Sequence, residues 1–462
     1  MGESAANCVT PSLLRLAASR LKQISQGELS AEVRQKASLC LIDFLGAAQI
    51  GLLNPLTTSI LDFSALHAGK PEAYVFGRDS AICAETAAFA NSILAHSAAR
   101  DDMHLESCAH LGSMVVSAAL ALAQRDGWSG EQLLRGLVGG YEMGGFLGAA
   151  IRASGTFNTH FRASGLIGAF AATAAAATAT SADEETAISA LSLAVNMAAG
   201  INEWAWAGGR EIFIHNGIAS RAGITSFDLA RSGIKASDTV LEGKDGFFKA
   251  LSAGDGAANV FKGLVETSPV GMCILQVRFK PAACCNFAQT SSSIAVNISR
   301  ARSRALDVDD VDAVKITVTT TAIAYPGCDN AGPLESPSQG KLSIQFGVCT
   351  ALMHKSLDEE SLMSIHDPKV AALMKKCTLL TSPENDASYA KGLQPANVEV
   401  ALKDGTVLRE SAPDVPWLDG PEVTARFLQE IAPMAPGQKG ERMLKLCQKF
   451  QSADIIKKLF GS

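Results

Sequence analysis

The stretch A-S-G-L-I-G-A-F-A-A-T-A-A-A-A-T-A-T-S-A, residues 163–182, predicts the fold of most of this chain. It carries no charged residue and consists mainly of Ala, Gly, Thr and Ser. Its length would suffice to cross a bilayer, but its low Leu and Ile content and its hydroxyl groups disfavour a membrane span. We therefore expect a tightly packed, buried helix whose small side chains let neighbouring helices approach closely.

Apolar residues recur at helical spacing on both sides of this stretch. Ser30 is the predicted N-cap of one such helix. Asp43 lies alone in the apolar run 41–46, where a charged group must be paired or lie at a turn. We predict one helical domain over residues 1–268, with helices near residues 14–24, 33–44, 81–95, 113–123, 133–147, 187–199 and 216–229.

Alternating β-branched residues indicate a different structure after residue 268. Residues 311–321 and 396–402 alternate as half-buried strands do, and Asp404-Gly405 is typical of a hairpin turn. Helical patterns at 289–299, 342–352 and 368–376 lie among these strands. We predict an α+β segment over residues 269–412 and a helical tail over 413–462.

Composition and motifs exclude several classes of function. The formal net charge is -6, and we find no basic run or aromatic platform for nucleic acid. Neither a P-loop nor a strand-linked G-x-G-x-x-G motif is present, so ATP and NAD are disfavoured. The eleven cysteines form no C-x-x-C pair, which is typical of a reducing compartment. Together with the lack of a signal-peptide pattern, this predicts a cytoplasmic protein.

The segment 96–112, H-S-A-A-R-D-D-M-H-L-E-S-C-A-H-L-G, concentrates titratable side chains. His96, His104 and His110 are three of the eight histidines of the chain. Their spacing fits neither H-x-x-x-H nor H-E-x-x-H, which disfavours a metal site. Asp102 beside two imidazoles could serve as a general acid or base. A buried polar cluster that ties two helix ends together is the alternative.

Two further stretches carry cations. His160 and Arg162 precede the small-residue helix, and a cation at a helix N-terminus is misplaced unless an anion joins it. An anionic ligand near Arg162 would resolve this conflict, and a surface arginine is the alternative. The stretch 278–289, R-F-K-P-A-A-C-C-N-F-A-Q, adds Lys280, Gln289 and two cysteines, which we expect to be structural.

Several short motifs, in this order and spacing, resemble the MmgE/PrpD family over nearly the whole chain. They are Asn91-x-x-x-Ala95-His96, Asp101-Asp102-x-His104, His110-x-Gly112, Gly140-Tyr141-Glu142, Gly217-x-Ala219-x-Arg221-x-Gly223, L-E-G-K-D-G-F at 241–247, and Lys280-Pro281-x-x-Cys284. The resemblance implies a large all-helical domain made from both chain ends, 1–268 and 413–462, and a smaller α+β lid domain at 269–412. It also implies a homodimer and a cofactor-free site in the cleft between the domains.

The resemblance also implies roles for particular residues. Asp102 and His110 match acid/base positions with His104 beside them, and Lys280 matches a carboxylate-binding position. We expect the substrate to be bound by Lys280 with Arg162, Gln289 and His160, and we expect no metal.

This chain departs from the family pattern at four positions. Arg162 replaces a histidine, Ile212 replaces a lysine and Gln289 replaces a histidine. Ala99 lies where many members carry an acid. These changes remove proton-transfer groups that the dehydratases and decarboxylases of the family carry.

The resemblance implies a cofactor-independent lyase that dehydrates or decarboxylates a small di- or tricarboxylate after removing a proton next to a carboxylate. An epimerase of the iminodisuccinate type is the alternative, favoured by Gln289 and Ile212. A family member that only binds carboxylates is the second alternative. We expect neither nucleic acid nor a membrane as a partner.

Overall fold

Helices dominate the computed structural model, which describes residues 11–153, 160–304 and 306–450. One small sheet lies in the C-terminal part. The predicted fold class, a mainly α protein with a large helical part and a smaller α+β part, is confirmed. Residues 451–462 of the predicted C-terminal segment lie outside the described residues.

The N-terminal part is entirely helical apart from its connections in the described residues. Its helices are α1 (Leu13–Gln26), α2 (Ala31–Gly51), α3 (Thr57–Leu66), α4 (Ala84–Ser97), α5 (Leu111–Asp126), α6 (Gly130–Ala153), α7 (Ala163–Ala179), α8 (Glu184–Val195), α9 (Trp204–Ala207), α10 (Glu211–Arg231), α11 (Phe247–Ala250), α12 (Gly254–Thr267) and α13 (Met272–Gln276).

The remaining chain mixes helices with strands and then ends in two helices. Its elements are α14 (Gln289–Arg300), β1 (Val311–Val318), α15 (Thr320–Ala324), α16 (Pro337–Leu342), α17 (Ile344–His354), α18 (Glu359–Leu362), α19 (Pro368–Met374), β2 (Cys377–Thr381), α20 (Pro383–Tyr389), β3 (Ala396–Leu402), β4 (Val407–Ala412), α21 (Gly420–Ile431) and α22 (Gln438–Lys449).

The small-residue stretch forms α7, which is buried along nearly its whole length. It packs against α6 on one side and α10 on another. A Cβ atom at Gly139 of α6 would lie 2.0 Å from Thr178 Oγ1, and one at Gly144 would lie 2.7 Å from the Ala171 side chain. Only glycine permits this approach. The predicted buried helix is confirmed, and no described helix is long and apolar enough to cross a membrane.

The sheet has the strand order β2-β1-β3-β4. β1 runs parallel to β2 and antiparallel to β3, and β3 and β4 form a hairpin. Gly405 adopts φ +87° in the predicted hairpin turn. The strand predicted for 311–321 ends earlier, at Val318, because the Thr319 hydroxyl accepts the Ala322 N–H and starts α15.

The two larger hydrophobic cores among the described residues follow this division. The first contains the helices of the N-terminal part together with Val423 and Phe427 of α21 and Leu444 of α22. The second joins the buried face of the sheet to α14 and α17, with Ile316 and Val398 at its centre. The C-terminal helices therefore pack on the N-terminal core, chiefly against α2. The exact domain boundaries at residues 268 and 412 stay predictions.

A buried ion pair joins α1 to α6. The Arg20 guanidinium donates to Glu142 Oε1 from Nη2 at 2.5 Å and to the Ser268 carbonyl oxygen at 2.8 Å. The two side chains are 5% and 0% exposed. Glu142 also accepts the backbone N–H groups of Gly271 and Cys273. Burial at this depth makes each charge dependent on its partner.

We expect Arg20→Ala to lower the free energy of unfolding by about 3–5 kcal/mol, because it leaves the Glu142 carboxylate buried without its cation. Urea denaturation followed by circular dichroism measures this change. Arg15→Ala on the same helix is the matched control, since the Arg15–Glu184 pair is exposed to solvent. Equal, small effects of both variants would contradict the assignment.

Candidate active site

A cavity lies where the two cores meet. Segments from both parts of the chain line it, and the lining is rich in titratable and polar groups. These residues are His96, Ala99, Met103, Cys108, His110, Arg162, Ile212, Phe213, Lys280, Cys285, Asn286, Phe287, Tyr325, Ser338, Lys341 and Leu342. Ala99 and Cys108 both adopt φ +55°, a strained conformation for residues other than glycine and one that concentrates at functional sites.

Met103 and His104 form isolated β-bridges, to Arg278 and Ala109 respectively. Successive side chains of an extended backbone point in opposite directions. Met103 lines the cavity and Asp101 contacts its histidines, whereas Asp102 and His104 point away. This alternation decides which half of the predicted cluster faces the cavity.

Asp101 lies between two imidazoles. Its Oδ2 is 2.8 Å from His96 Nδ1, and its Oδ1 is 3.4 Å from His110 Nδ1. The side chains of His96 and Asp101 are 3% and 2% exposed, whereas that of His110 is 13% exposed. The sequence instead predicts the acid/base role for the neighbouring Asp102. Sequence reasoning misses His96 and Asp101 as site residues, although both lie in the segment 96–112.

The hydrogen bonds assign the tautomer of each imidazole. Arg162 Nη2 can only donate, so His96 Nε2 accepts at 2.7 Å and His96 Nδ1 carries the proton that it donates to Asp101. The Asp102 carbonyl oxygen can only accept, so His110 Nδ1 donates to it at 3.0 Å. The lone pair of His110 is thus on Nε2. Burial holds the pKa of both histidines well below the usual range, so both are neutral bases.

The Asp102 carboxylate lies beneath the cavity wall. It accepts the Tyr141 hydroxyl and the Gly112 N–H, the latter at 2.9 Å, and it is 2% exposed. Burial, with the nearby charge of Asp43, raises its pKa to about 7, although both hydrogen bonds oppose this shift. The carboxylate does not line the cavity, and it ties the start of α5 to α6.

His104 also points into the protein. Its Nδ1 lies 2.9 Å from the Ser107 hydroxyl and its Nε2 lies 3.3 Å from Gln276 Oε1. Burial lowers its pKa to about 4. His104 is 1% exposed and is not among the residues that line the cavity.

Arg162 is the N-cap of α7 and is 5% exposed, so the alternative of a surface arginine is wrong. Besides contacting His96, its guanidinium lies 5.8 Å from the centre of the Trp204 ring. No described residue accepts a hydrogen bond from its buried Nε. A buried guanidinium at a helix N-terminus, without a carboxylate partner among the described residues, favours an anion in the cavity.

Lys280 lines the cavity from the other side and is 1% exposed. Its Nζ donates to the Cys284 carbonyl oxygen at 3.1 Å, and burial lowers its pKa. Gln289 lies behind this turn, where its amide bonds to Ala282 N and O and to Cys284 O. Gln289 therefore shapes the turn that carries Lys280 and does not line the cavity.

Two further basic side chains, those of Lys341 and His160, differ in their position relative to the cavity. Lys341 lines the cavity but donates to both oxygens of Glu359, at 2.8 and 2.7 Å, and to the Ser97 carbonyl oxygen. Lys341 cannot be recognised from the sequence, because no local pattern separates it from the preceding loop. His160 is exposed and lies outside the lining, two residues before Arg162.

The structure thus brings His110, Arg162 and Lys280 together in one cavity. It places the side chains of Asp102 and His104 beneath the wall of the cavity. Ala99 and Ile212, two of the positions that depart from the family pattern, line the cavity as apolar residues.

A network of buried charged residues lies behind the part of the cavity formed by the 96–112 segment and Lys280. Asp43 of α2 accepts Nη1 of Arg100 at 2.8 Å and Nη2 of Arg426 at 2.5 Å. Arg100 also donates to Glu430 at 2.6 Å, and Arg426 donates to the carbonyl oxygen of Lys280 at 2.5 Å. Of the two alternatives for Asp43, a paired charge or a charge at a turn, the structure shows a paired charge within α2. The network joins α2, the 96–112 segment, Lys280 and α21.

His96, Asp101 and His110 offer ligand atoms within 4.8 Å of one another, a separation that could accommodate a metal ion. Arg162 donates to His96, and the positive charge of Lys280 also acts on both histidines. These cations oppose a metal ion and favour an anionic ligand. The expectation of no metal and no cofactor stays a prediction.

The fold and the site together define a mainly α protein. Between its two larger cores lies a cavity that is lined by cations and histidine side chains. The chain matches the MmgE/PrpD N-terminal domain over residues 17–259 and the MmgE/PrpD C-terminal domain over residues 282–426. These two domain models together span most of the sequence. The chain belongs to the MmgE/PrpD family.

Two curated relatives extend this similarity. A cis-aconitate decarboxylase from Aspergillus terreus is 23% identical over 438 residues, which cover 91% of this chain and 89% of the relative. A cis-aconitate decarboxylase from Aspergillus terreus strain NIH 2624 / FGSC A1156 is 22% identical with the same coverage. Identity at this level supports the family and leaves the reaction open.

The raised pKa of Asp102 makes stability depend on pH. An unfolded aspartate has a pKa of about 3.9. Between about pH 4 and pH 7 the folded chain therefore holds a proton on Asp102 that the unfolded chain has released. The free energy of unfolding falls as the pH rises over this range and through 7. The asparagine of Asp102→Asn cannot titrate. We therefore expect the free energy of unfolding of the variant, relative to that of the natural protein, to be higher at pH 8 than at pH 5.

Urea denaturation at the two pH values measures this gain. Asp307→Asn is the control, because the pKa of the exposed Asp307 is lowered by the Asp309 N–H, so that it titrates below this range in both states. A difference between Asp102→Asn and the natural protein that stays the same at both pH values would contradict the prediction.

Proposed function

We propose that this protein is a cofactor-independent enzyme that removes a proton from carbon next to a carboxylate of a small di- or tricarboxylate. The observation that carries the proposal is the state of His110. Its Nδ1 is held by the Asp102 carbonyl oxygen, which leaves Nε2 as the basic nitrogen of a cavity-lining imidazole. A neutral base within reach of a bound substrate is the requirement of general base catalysis.

Asp101 supports this role electrostatically. Once His110 has taken a proton, the carboxylate 3.4 Å from its Nδ1 stabilises the imidazolium, and the charge of Asp101 does raise the pKa of His110 against the dominant effect of burial. A bound substrate carboxylate would act in the same direction. The base therefore becomes stronger when the anionic substrate is present.

The cations supply the second requirement. Removal of a proton next to a carboxylate spreads negative charge onto the carboxylate oxygens, and fixed positive groups stabilise that charge. Arg162 can bind a carboxylate in a bidentate manner, and Lys280 offers a compact charge across the cavity. Lys341 is largely neutralised by Glu359, so Arg162 and Lys280 are the substrate-binding cations in this proposal.

We propose a lyase as the specific activity, acting by dehydration or decarboxylation. The named activity of the two fungal relatives supports it, and cis-aconitate is the first substrate to test. An epimerase is the second candidate. It is favoured by Ile212 and Ala99, which line the cavity where the family resemblance leads one to expect a lysine and an acid. Carboxylate binding without turnover is the third. A homodimer and a cytoplasmic location belong to the same proposal.

Proton NMR in deuterium oxide separates these candidates with cis-aconitate, citrate and iminodisuccinate as substrates. We expect one of two conversions. In dehydration, the carbanion left by proton removal expels a hydroxyl group from the neighbouring carbon and a double bond forms. In decarboxylation of cis-aconitate, the electron pair of the broken C–C bond forms the new double bond, and the former alkene carbon takes up a proton. Exchange of the α-proton without a change of formula would instead support the epimerase. A ligand-induced rise in melting temperature without turnover of any carboxylate would support the binding role and contradict the enzyme.

We expect His110→Gln to reduce kcat by about 10²–10⁴-fold, because glutamine keeps the polarity of the side chain but cannot accept the substrate proton. Steady-state kinetics with the substrate found by NMR measures the loss. His354→Gln, at the end of α17 and outside the cavity, is the matched control and should retain the natural rate. Full activity of His110→Gln would remove His110 from the mechanism.

A further inference from the structure

Two cysteines of the α+β part converge at the edge of the cavity. Cys285 lines the cavity just before α14, and Cys328 lies in the loop between α15 and α16. Their sulfur atoms are 3.6 Å apart, although the residues are 43 positions apart in the sequence. Cys328 is fully buried, so the cavity-lining Cys285 is the member of the pair that a small solute reaches first.

The surroundings of Cys285 favour its thiolate. The Cys328 thiol donates to it, and the Phe287 N–H and the positive charges of Lys280 and Arg162 act in the same direction. Together they lower the pKa of Cys285 to about 7, against the effect of burial. The thiolate is the reactive form of cysteine.

Three other thiols provide a contrast within the same chain. Cys349 and Cys377 are closer to each other, at 3.2 Å, but neither lines the cavity, and burial holds the pKa of Cys349 well above its usual range. Cys108 lines the cavity, but burial raises its pKa. Among these residues, only Cys285 combines access, a favoured thiolate and a partner thiol in contact.

We propose that Cys285 and Cys328 are a redox-sensitive thiol pair, which a hydroperoxide entering the cavity converts into a reversible disulfide. The Cys285 thiolate attacks one oxygen of the hydroperoxide, the O–O bond breaks, and the sulfur becomes a sulfenic acid while the other oxygen leaves and takes up a proton. The Cys328 sulfur then attacks the Cys285 sulfur. The S–O bond breaks, the S–S bond forms, and the hydroxyl group leaves as water with the Cys328 proton.

The disulfide would alter the wall that carries Lys280. Cys285 donates its backbone N–H to the Lys341 carbonyl oxygen at 2.6 Å, and the preceding carbonyl, that of Cys284, accepts Lys280 Nζ. Movement of Cys285 toward Cys328 acts directly on both lysines of the cavity. If these lysines bind the substrate, the disulfide changes turnover. That effect on turnover rests on the proposed function, whereas formation of the disulfide does not.

The test treats the full chain with hydrogen peroxide, alkylates the remaining thiols and maps the peptides by mass spectrometry. We expect a peptide pair linked through Cys285 and Cys328 with the loss of about 2 Da, removed by dithiothreitol. Cys349 and Cys377 should remain alkylated under the same conditions. A Cys349–Cys377 link at equal or lower peroxide, or free thiols at Cys285 and Cys328 after Cys108 has been oxidised, would overturn the proposal.

Two variants test whether Cys328 is the thiol that resolves the sulfenic acid of Cys285. In Cys328→Ser we expect the sulfenic acid of Cys285 to persist and to be trapped by dimedone, since its resolving thiol is gone. Cys377→Ser is the matched control and should still form the Cys285–Cys328 disulfide. If Cys328→Ser does not fold, the peptide map of the natural chain decides alone.

If the protein turns over cis-aconitate, peroxide should inhibit it and dithiothreitol should restore the rate. A disulfide without any turnover would leave the thiol pair established and contradict only the proposed enzyme. Turnover that stays unchanged while the disulfide forms completely would contradict the effect on the lysines.

Discussion

The buried network of Asp43, Arg100, Arg426 and Glu430 is the constraint on which the site depends. Its members come from α2, the 96–112 segment and α21, and they lie far apart in the sequence. Charges this deeply buried destabilise the fold unless each is paired, so the three segments must stay together. Arg426 also holds the backbone of Lys280. The network thereby holds the segment that carries Asp101, which contacts two cavity histidines, and the backbone of Lys280, which lines the cavity.

Within that frame, the cavity has more positive than negative charge. Asp101 is shared by two histidines, and Glu359 neutralises Lys341, which leaves Arg162 and Lys280 without a carboxylate partner among the described residues. In the proposed function, a small anionic substrate balances this positive charge and brings its carbon atoms next to a neutral imidazole. Substrate binding and proton transfer would then depend on the same charges.

Much of the fold could be predicted from local patterns, and the failures have physical causes. The uncharged stretch of α7 and the Asp404-Gly405 turn are local signals, and both formed as expected. β2 was missed because its side chains are mostly exposed or half-buried, so it lacks the alternation that marked β1 and β3. The end of β1 was misplaced because a threonine can extend a strand or cap a helix, and Thr319 caps α15.

The sequence by itself determined the helical packing on small residues, the separate α+β part, and the segment that supplies the cavity histidines. Only the tertiary structure decided that Asp101, and not Asp102, faces the histidines of the cavity. Adjacent side chains of an extended backbone point to opposite sides. Asp101 contacts His96 and His110, whereas Asp102 accepts the Tyr141 hydroxyl and the Gly112 N–H. Likewise, only the tertiary structure shows that Lys341 lines the cavity, because long-range packing leaves no pattern in the sequence around Lys341.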